Sequence, residues 1–340
     1  MTTPTLRDVA LIAGVHPATA SRALNPLTRP QVNAETARKV LRAAESIGYQ
    51  PNPIARSLKT ARSSTIGLVI PDLTNPLFPP IVRGIEDVLN AAGYNAWIVN
   101  TDNDPDREET QIESLRSRQV EGLIVATARR NHPLLVQLHA QGVPMVLVNR
   151  RVDGLDLPSV TADDDTGIGL AVAHLVEQGH TRIAHLAGPQ GTSTGVSRAR
   201  AFRNALLDHG LVNDAALTVE CGYWSESEGA IALRKLLDSG TTFTAIVAGN
   251  DLIALGCYDV FAERGLHCPD DMSVIGFNEM PFLDKMRPPL STVAIPQYDI
   301  GVEAARLLLD TIEEPDRHAR SILLAPSLVV RSSTAPPLSR

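Results

Sequence analysis

Thr19, Ser21 and Arg22 fall in one short helical stretch behind Ala10-x3-Gly14 and an apolar Val15. That spacing builds a helix-turn-helix whose second helix offers small polar and basic groups to the major groove of DNA. The alternative for the same residues is a three-helix bundle with no nucleic-acid partner, and charge separates the two. Residues 1–62 hold nine Lys or Arg against three acids, a balance of +6, so a 340-residue chain of formal charge −7 leaves −13 for the remainder. A basic head on an acidic body implies one module for a polyanion and another for a different ligand.

Other chemistry is poorly supported. Asp163-Asp-Asp165 has the acidity to interest a metal, but no pair among the nine histidines has metal spacing and no phosphate-cradling glycine loop occurs. These acids are expected to form a solvated loop and a helix cap, and the chain is expected to have no catalytic residues, no metal and no cofactor. Cys221, Cys257 and Cys268 are too few and too irregularly spaced for a disulfide framework or a zinc site, so they are expected to be reduced and structural.

The elements that must position these groups follow from capping signals and periodicity. Thr5-Leu-Arg-Asp8 is a capping box for a first helix with Leu6, Val9, Ala10 and Ala13 on one face. Gly14 turns the chain and Pro17 starts a second helix, which faces Ala20, Ala23 and Leu24 inward. Asn33 caps a third helix through Val40, Leu41, Ala44 and Ile47, ended by Gly48. Residues 50–62 form a Pro-rich, basic connector. From Thr65 onward β-rich runs at 65–70, 96–100, 122–126, 144–149, 182–186, 245–248 and 273–277 alternate with helical stretches, the pattern of parallel sheets covered on both faces. The length fits two such sheets better than one.

With 44% hydrophobic and 20% charged residues, and no apolar run near the roughly 18 residues of a membrane span, no membrane partner is implied. The first 15 residues lack a signal-peptide pattern, so a cytoplasmic location is expected.

The stretch from Leu6 to Asn25, LRDVALIAGVHPATASRALN, strongly resembles the head of the lactose/purine-repressor (LacI/GalR) family. Gly48-Tyr-Gln-Pro-Asn52 and Ala55-Arg-Ser-Leu58 resemble its hinge, and residues 66–78 its first core strand and loop. Further matches follow in family order at Gly179-His180, 186–189, 249–256, 273–277, 289–293 and 330–333. The resemblance implies a small all-α helix-turn-helix DNA-binding domain followed by an α/β core of two subdomains like the periplasmic binding proteins. Its expected boundaries are 1–50 for the head, 51–62 for the hinge, 63–162 with 292–322 for one subdomain, and 163–291 with 323–335 for the other. The implied function is a sequence-specific transcription repressor, a homodimer on a near-palindromic double-stranded operator, controlled by a small-molecule effector.

The same resemblance places Pro17, Ala18 and Arg22 at the base-reading edge of the second helix, with Thr19 and Ser21 near phosphates. Pro17 and Ala18 donate no side-chain hydrogen bond, so thymine methyls and groove shape must carry more of the readout there. His16 stands where the family usually has Ser. Thr5, Asn25, Asn33 and Tyr49 complete the implied DNA surface of the head. The hinge adds Asn52, Ala55, Arg56, Leu58 and Lys59, with Leu58 as a wedge between base steps in the minor groove. An eight-residue helix of this kind is marginal alone, so DNA and a second hinge must help it form.

In the core, the resemblance puts the effector between the two sheets at the carboxyl ends of the strands. The residues it implies are Asp72, Asn75 and Phe78 after the first strand, Asp102 after the second, Asn149 and Arg150 after the fourth, then Arg198, Trp224, Asn250 and Asn278. Arg198 is the strongest of these, with a structural salt bridge as its alternative role; for Trp224 the alternative is core packing. Asp251 is expected to cap a helix. Relatives that bind neutral sugars often carry carboxylates at the positions of Asn149 and Asn278, and Gln at that of Ile295. Amides beside an arginine shift the preference toward a sugar phosphate, sugar acid or nucleoside. Ile81, Ile85, Val88 and Leu89 fit a subunit interface or an ordinary core face equally well. The tail after Val330 has no leucine heptads, so a dimer is expected rather than a tetramer.

Overall fold

The structure, a computed structural model, describes residues 4–25, 28–49, 63–315 and 318–338. It divides into a head before Ser64 and a core from Ser64 onward. The head holds α1 (Leu6–Ala13), α2 (Pro17–Leu24) and α3 (Ala34–Ser46). Its buried centre consists of Val9, Val40 and six alanines, which let three short helices approach closely while each buries little apolar area. End caps therefore matter more than usual. Thr5 and Asp8 form the expected capping box, and Asn33 Oδ1 accepts from the Glu35 backbone N–H at 2.8 Å. Gly14 ends α1 at φ 65°, a left-handed conformation that a residue with a Cβ rarely adopts.

The core contains two six-stranded sheets. The first is built from β1 (Thr65–Ile70), β2 (Asn95–Asn100), β3 (Gly122–Val125), β4 (Met145–Val148), β5 (Ser159–Ala162) and β11 (Ser321–Leu324). Its order is β11-β5-β4-β3-β1-β2 and every pairing is parallel. The second is built from β6 (Ile183–Ala187), β7 (Thr218–Glu220), β8 (Ala245–Ala248), β9 (Ser273–Asn278), β10 (Ser291–Ala294) and β12 (Ser327–Val329). Its order is β12-β10-β9-β8-β6-β7, parallel except between β10 and β12. Central strands such as β1, β3 and β8 are buried along their whole length, as strands covered on both faces must be.

Among the described residues eight α-helices cover the sheets: α4 (Phe78–Ala91), α5 (Pro105–Ser117), α6 (Pro133–Ala140), α7 (Asp164–Glu177), α8 (Ser193–Asp208), α9 (Glu226–Asp238), α10 (Asp251–Arg264) and α11 (Gln297–Glu313). One continuous apolar cluster joins α4 and α11 on the first sheet to α7 and α8 on the second. Separate clusters seat α5 and α6, and α9 and α10, on the opposite faces. Helices α4 and α11 approach so closely that a Cβ on Gly84 would lie 2.2 Å from the Tyr298 carbonyl oxygen. Ile81, Ile85 and Leu89 are buried in this contact, which makes them a core face rather than a free interface.

The expected domain boundaries shift. β10 belongs to the second sheet, so the chain returns to the first only after Ala294, not at 292. β11 then pairs with β5 through Leu324, past the expected crossing at 323, and β12 closes the second sheet. A crossover leaves from the end of a strand, and here the strands run a few residues further than expected. Strands β5, β7, β11 and β12 carried no clear alternation, being three or four residues long and, for the last three, at sheet edges.

Candidate functional site: the recognition helix and the inter-sheet cavity

On α2 and its C-cap, Pro17, Ala18, Ser21, Arg22 and Asn25 recur at helical spacing on the face away from the buried Ala20 and Ala23. Ala18 and Arg22 are exposed, and Thr19 lies half-buried at the edge of that face. His16 takes over the capping role of a Ser: its Nδ1 accepts from the Ala18 backbone N–H at 3.2 Å. Thr5 and Asn33 spend their oxygens on caps, and Tyr49 is half-buried against the head core. The hinge positions Asn52, Ala55, Arg56, Leu58 and Lys59 lie outside the described residues.

In the core, the carboxyl ends of six strands converge on a narrow cavity. Asn75 and Phe78 reach it from the loop after β1, Asn149 and Arg150 from the end of β4, and Arg198 from α8 beyond β6. Trp224 follows β7, Asn250 follows β8 and Asn278 ends β9. Leu77 and Thr194 complete the lining. Thr194 stands one helical turn before Arg198, an i, i+4 spacing that already put it on the same face in the sequence.

Asp72 and Asp102 do not line this cavity. Asp72 accepts from the Thr74 N–H and hydroxyl at 2.8 and 2.7 Å, and Asp102 is exposed and paired with Arg107 and Asn100. Local partners hold both carboxylates outside. No carboxylate remains among the lining residues.

The two arginines of the cavity differ. Arg198 is buried and held at two points: Nε donates to Asp164 at 2.8 Å and a terminal N–H to the Gly249 carbonyl at 2.8 Å. Its guanidinium lies 3.8 Å from the Phe277 ring centroid and 5.5 Å from that of Trp224. It thus lines the cavity and forms the salt bridge that was its alternative role. The Trp224 ring lies against Gly188, where a Cβ would meet it at 2.0 Å. Arg150 is equally buried, yet no hydrogen bond or ion pair engages its guanidinium among the described residues, and its Nε has no partner. Burial, with Arg198 nearby as a second cation, pulls its pKa down to about 10.

The asparagines are shaped for the site as well. Asn149 and Asn278 sit at φ 64° and 124°, and the Asn278 Oδ1 is buried without a partner. Gln297, two residues beyond Ile295, donates to the Asn278 carbonyl at 2.7 Å, while Ile295 joins the apolar core. Asn250, not Asp251, caps α10, its Oδ1 accepting from Ile253 N–H at 2.9 Å. Asp251 instead lies fully buried behind the cavity, accepting from the Met280 N–H at 2.9 Å and from the Thr292 hydroxyl.

Asp163 caps α7, Asp164 holds Arg198 and Asp165 pairs with Arg200, so each acid of that run has a protein partner. The three cysteines are free, and burial raises the Cys221 and Cys268 thiols to about 12. Among the described residues no helix is long and apolar enough to cross a membrane.

A basic helix-turn-helix head and a two-sheet core with a polar cavity at its strand ends define a DNA-binding transcription repressor under metabolite control. The chain belongs to the LacI family. Residues 5–52 match "Bacterial regulatory proteins, lacI family", and residues 63–331 match "Periplasmic binding proteins and sugar binding domain of LacI family". The chain is 34% identical to the ribose operon repressor of Halalkalibacterium halodurans over 97% of each protein. The crystal structure of the Lac repressor dimer bound to operator and the anti-inducer ONPF superposes with a TM-score of 0.87 at 27% identity, covering 98% of this chain and 100% of that one. A LacI-family regulator from Enterococcus faecium with bound ribose gives a TM-score of 0.70 at 32% identity, over 80% of this chain and 99% of its own.

Proposed function

We propose that the protein is a cytoplasmic, homodimeric repressor, not an enzyme, whose grip on a near-palindromic operator is set by a sugar-class metabolite in the inter-sheet cavity. A sugar phosphate, sugar acid or nucleoside is favoured over an unmodified neutral sugar. The observation that carries this reading is the cavity lining: four asparagines, a threonine, two arginines and two aromatic rings, with no carboxylate. Amides and a hydroxyl match sugar hydroxyls, ring faces match the apolar side of a sugar, and guanidinium groups favour an acceptor-rich or anionic substituent. Relatives named for a ribose operon and for bound ribose support a pentose-sized ligand.

On the DNA side, the α2 face reads the half-site and Leu58 of the hinge wedges the minor groove. Selection of the full-length protein on fragmented genomic DNA, followed by mobility shifts with D-ribose, D-ribose 5-phosphate, D-gluconate and cytidine, tests both parts. Enrichment of a near-palindrome whose binding one of these compounds alters is the expected result. DNA binding that is only nonspecific and steeply salt dependent would overturn the repressor reading.

A further inference from the structure

A second, roomier cavity of about 160 Å³ adjoins the first and shares Arg150 and Trp224 with it. Its other lining includes Thr101, Glu108, Arg129 and Thr192. Two of these shared or lining groups are buried and without partners: the Arg150 Nε and the Thr101 hydroxyl, on residues 6% and 1% exposed. Native proteins seldom leave such groups unpaired, and a bound water, ion or ligand ordinarily pairs them.

The charges of this compartment fix what kind of ligand that is. Its one acid, Glu108, is 2% exposed and already engaged on both oxygens, by the Thr127 hydroxyl on one and by Arg129 and His132, at 3.3 and 3.2 Å, on the other. Arg129 thus shares Glu108 with a histidine, and Arg150 has no carboxylate of its own. Glu108 favours the Arg150 cation and Arg198 opposes it, so a neutral ring would add no charge to balance the buried guanidinium, whereas an anion does. A phosphate supplies three terminal oxygens, enough for two guanidinium groups and a hydroxyl at once.

We propose that this second cavity binds the phosphate group of the effector, between the guanidinium groups of Arg150 and Arg129 beside Thr101, with the rest of the ligand directed toward the first cavity. The proposal rests on the sugar-class reading for the body of the ligand, but the anion site can be tested without it.

The first measurement is thermal unfolding of the full-length protein against inorganic phosphate, with chloride holding ionic strength constant. The expected result is a saturable rise in Tm, with a phosphate Kd weakened about tenfold or more in Arg150→Gln and several-fold in Thr101→Val. Operator affinity without ligand checks that each variant is folded. Absence of a saturable rise, or an equal one in Arg150→Gln, overturns the proposal, because phosphate would then be binding nowhere or at the basic head. The second measurement compares D-ribose with D-ribose 5-phosphate by calorimetry. A phosphorylated form bound about tenfold or more tighter, with that advantage lost in Arg150→Gln, supports the proposal; equal or tighter binding of the parent sugar overturns it. Arg150-dependent phosphate binding with no sugar ligand found would keep the anion site and remove the sugar reading. Sugar binding with no phosphate effect would do the reverse.

Discussion

The two walls of the inter-sheet cavity each present a buried arginine, and they treat it in opposite ways. On the wall from the second sheet, Arg198 is clamped by Asp164, the Gly249 carbonyl and two aromatic rings. On the wall from the first, Arg150 is equally hidden from solvent and has none of these. A guanidinium clamped by a carboxylate and a carbonyl of the protein holds the fold and shapes the cavity. One that is buried unpaired costs stability in the empty protein, and that cost is recovered when a ligand pairs it. Position in the cavity alone would have given both the same role.

Removing each arginine tests the contrast. Arg198→Met takes the paired cation from Asp164, whose side chain is only 11% exposed and keeps the Ser197 hydroxyl alone, and is expected to cost about 3 kcal/mol in chemical denaturation. The double variant with Asp164→Asn should recover much of that loss. If Arg198→Met alone costs under about 1 kcal/mol, the clamp is not what holds this wall.

Buried titratable groups behind the same wall give the next largest effect. His185 is stacked on Phe202 at 4.6 Å, and burial lowers its pKa to about 4. The unfolded chain, near 6.5, binds the proton first, so this histidine contributes stability above about pH 6.5 that is lost as pH falls toward 4. Asp251 works the other way. Burial raises it to about 6, so the folded state holds its proton between about 3.8 and 6, and its contribution is lost as pH rises through that window. Each amounts to something on the order of 3 kcal/mol, with opposite signs between pH 4 and 6. Asp251→Asn should therefore make stability fall more steeply on acidification from pH 6 to 4 than in the parent. An unchanged slope in pH-dependent denaturation would show that Asp251 is not protonated there.

Arg150→Met is the counterpart on the first wall. Replacing an unpaired buried charge by an apolar chain of similar length should leave the empty protein as stable or raise its stability by about 1 kcal/mol, while response to an anionic effector is lost. A loss of more than about 2 kcal/mol would mean that Arg150 has a structural partner after all, and the two walls would no longer differ.

The contrast between the walls also marks what the sequence could disclose. The caps of the head were legible because donor and acceptor lie two or three residues apart, as in Thr5 with Asp8 and Asn33 with Glu35. The cavity draws on residues from Asn75 to Asn278, and only resemblance to a family could bring those positions together. That resemblance marked positions, not partners. It could not tell that Asp72 and Asp102 are held outside by Thr74 and Arg107, or that Asp251 faces Met280 and Thr292 rather than a helix end. Nor could it separate Arg150 from Arg198, because the difference rests on Asp164, 34 residues from Arg198 in the chain. The short edge strands went unread for a related reason: three or four half-exposed residues show no period until a neighbouring strand pairs with them.

His16 offers a third kind of polar group, neither stranded like Arg150 nor clamped from afar like Arg198, but satisfied within its own turn. Its Nδ1 reaches the Ala18 N–H at 3.2 Å, a long capping bond from a ring that is exposed on its other side. A hydroxyl on a shorter side chain caps with less entropy to lose, so His16→Ser should stabilise the head by about 0.5 kcal/mol. The head is held by alanine contacts of small area, so even this increment should be visible in the unfolding of the full-length protein if the head melts as a separate step. Effector affinity should not change. A shift in effector affinity would show that a local cap and the distant cavity are coupled, and that polar groups here cannot be sorted by the reach of their partners alone.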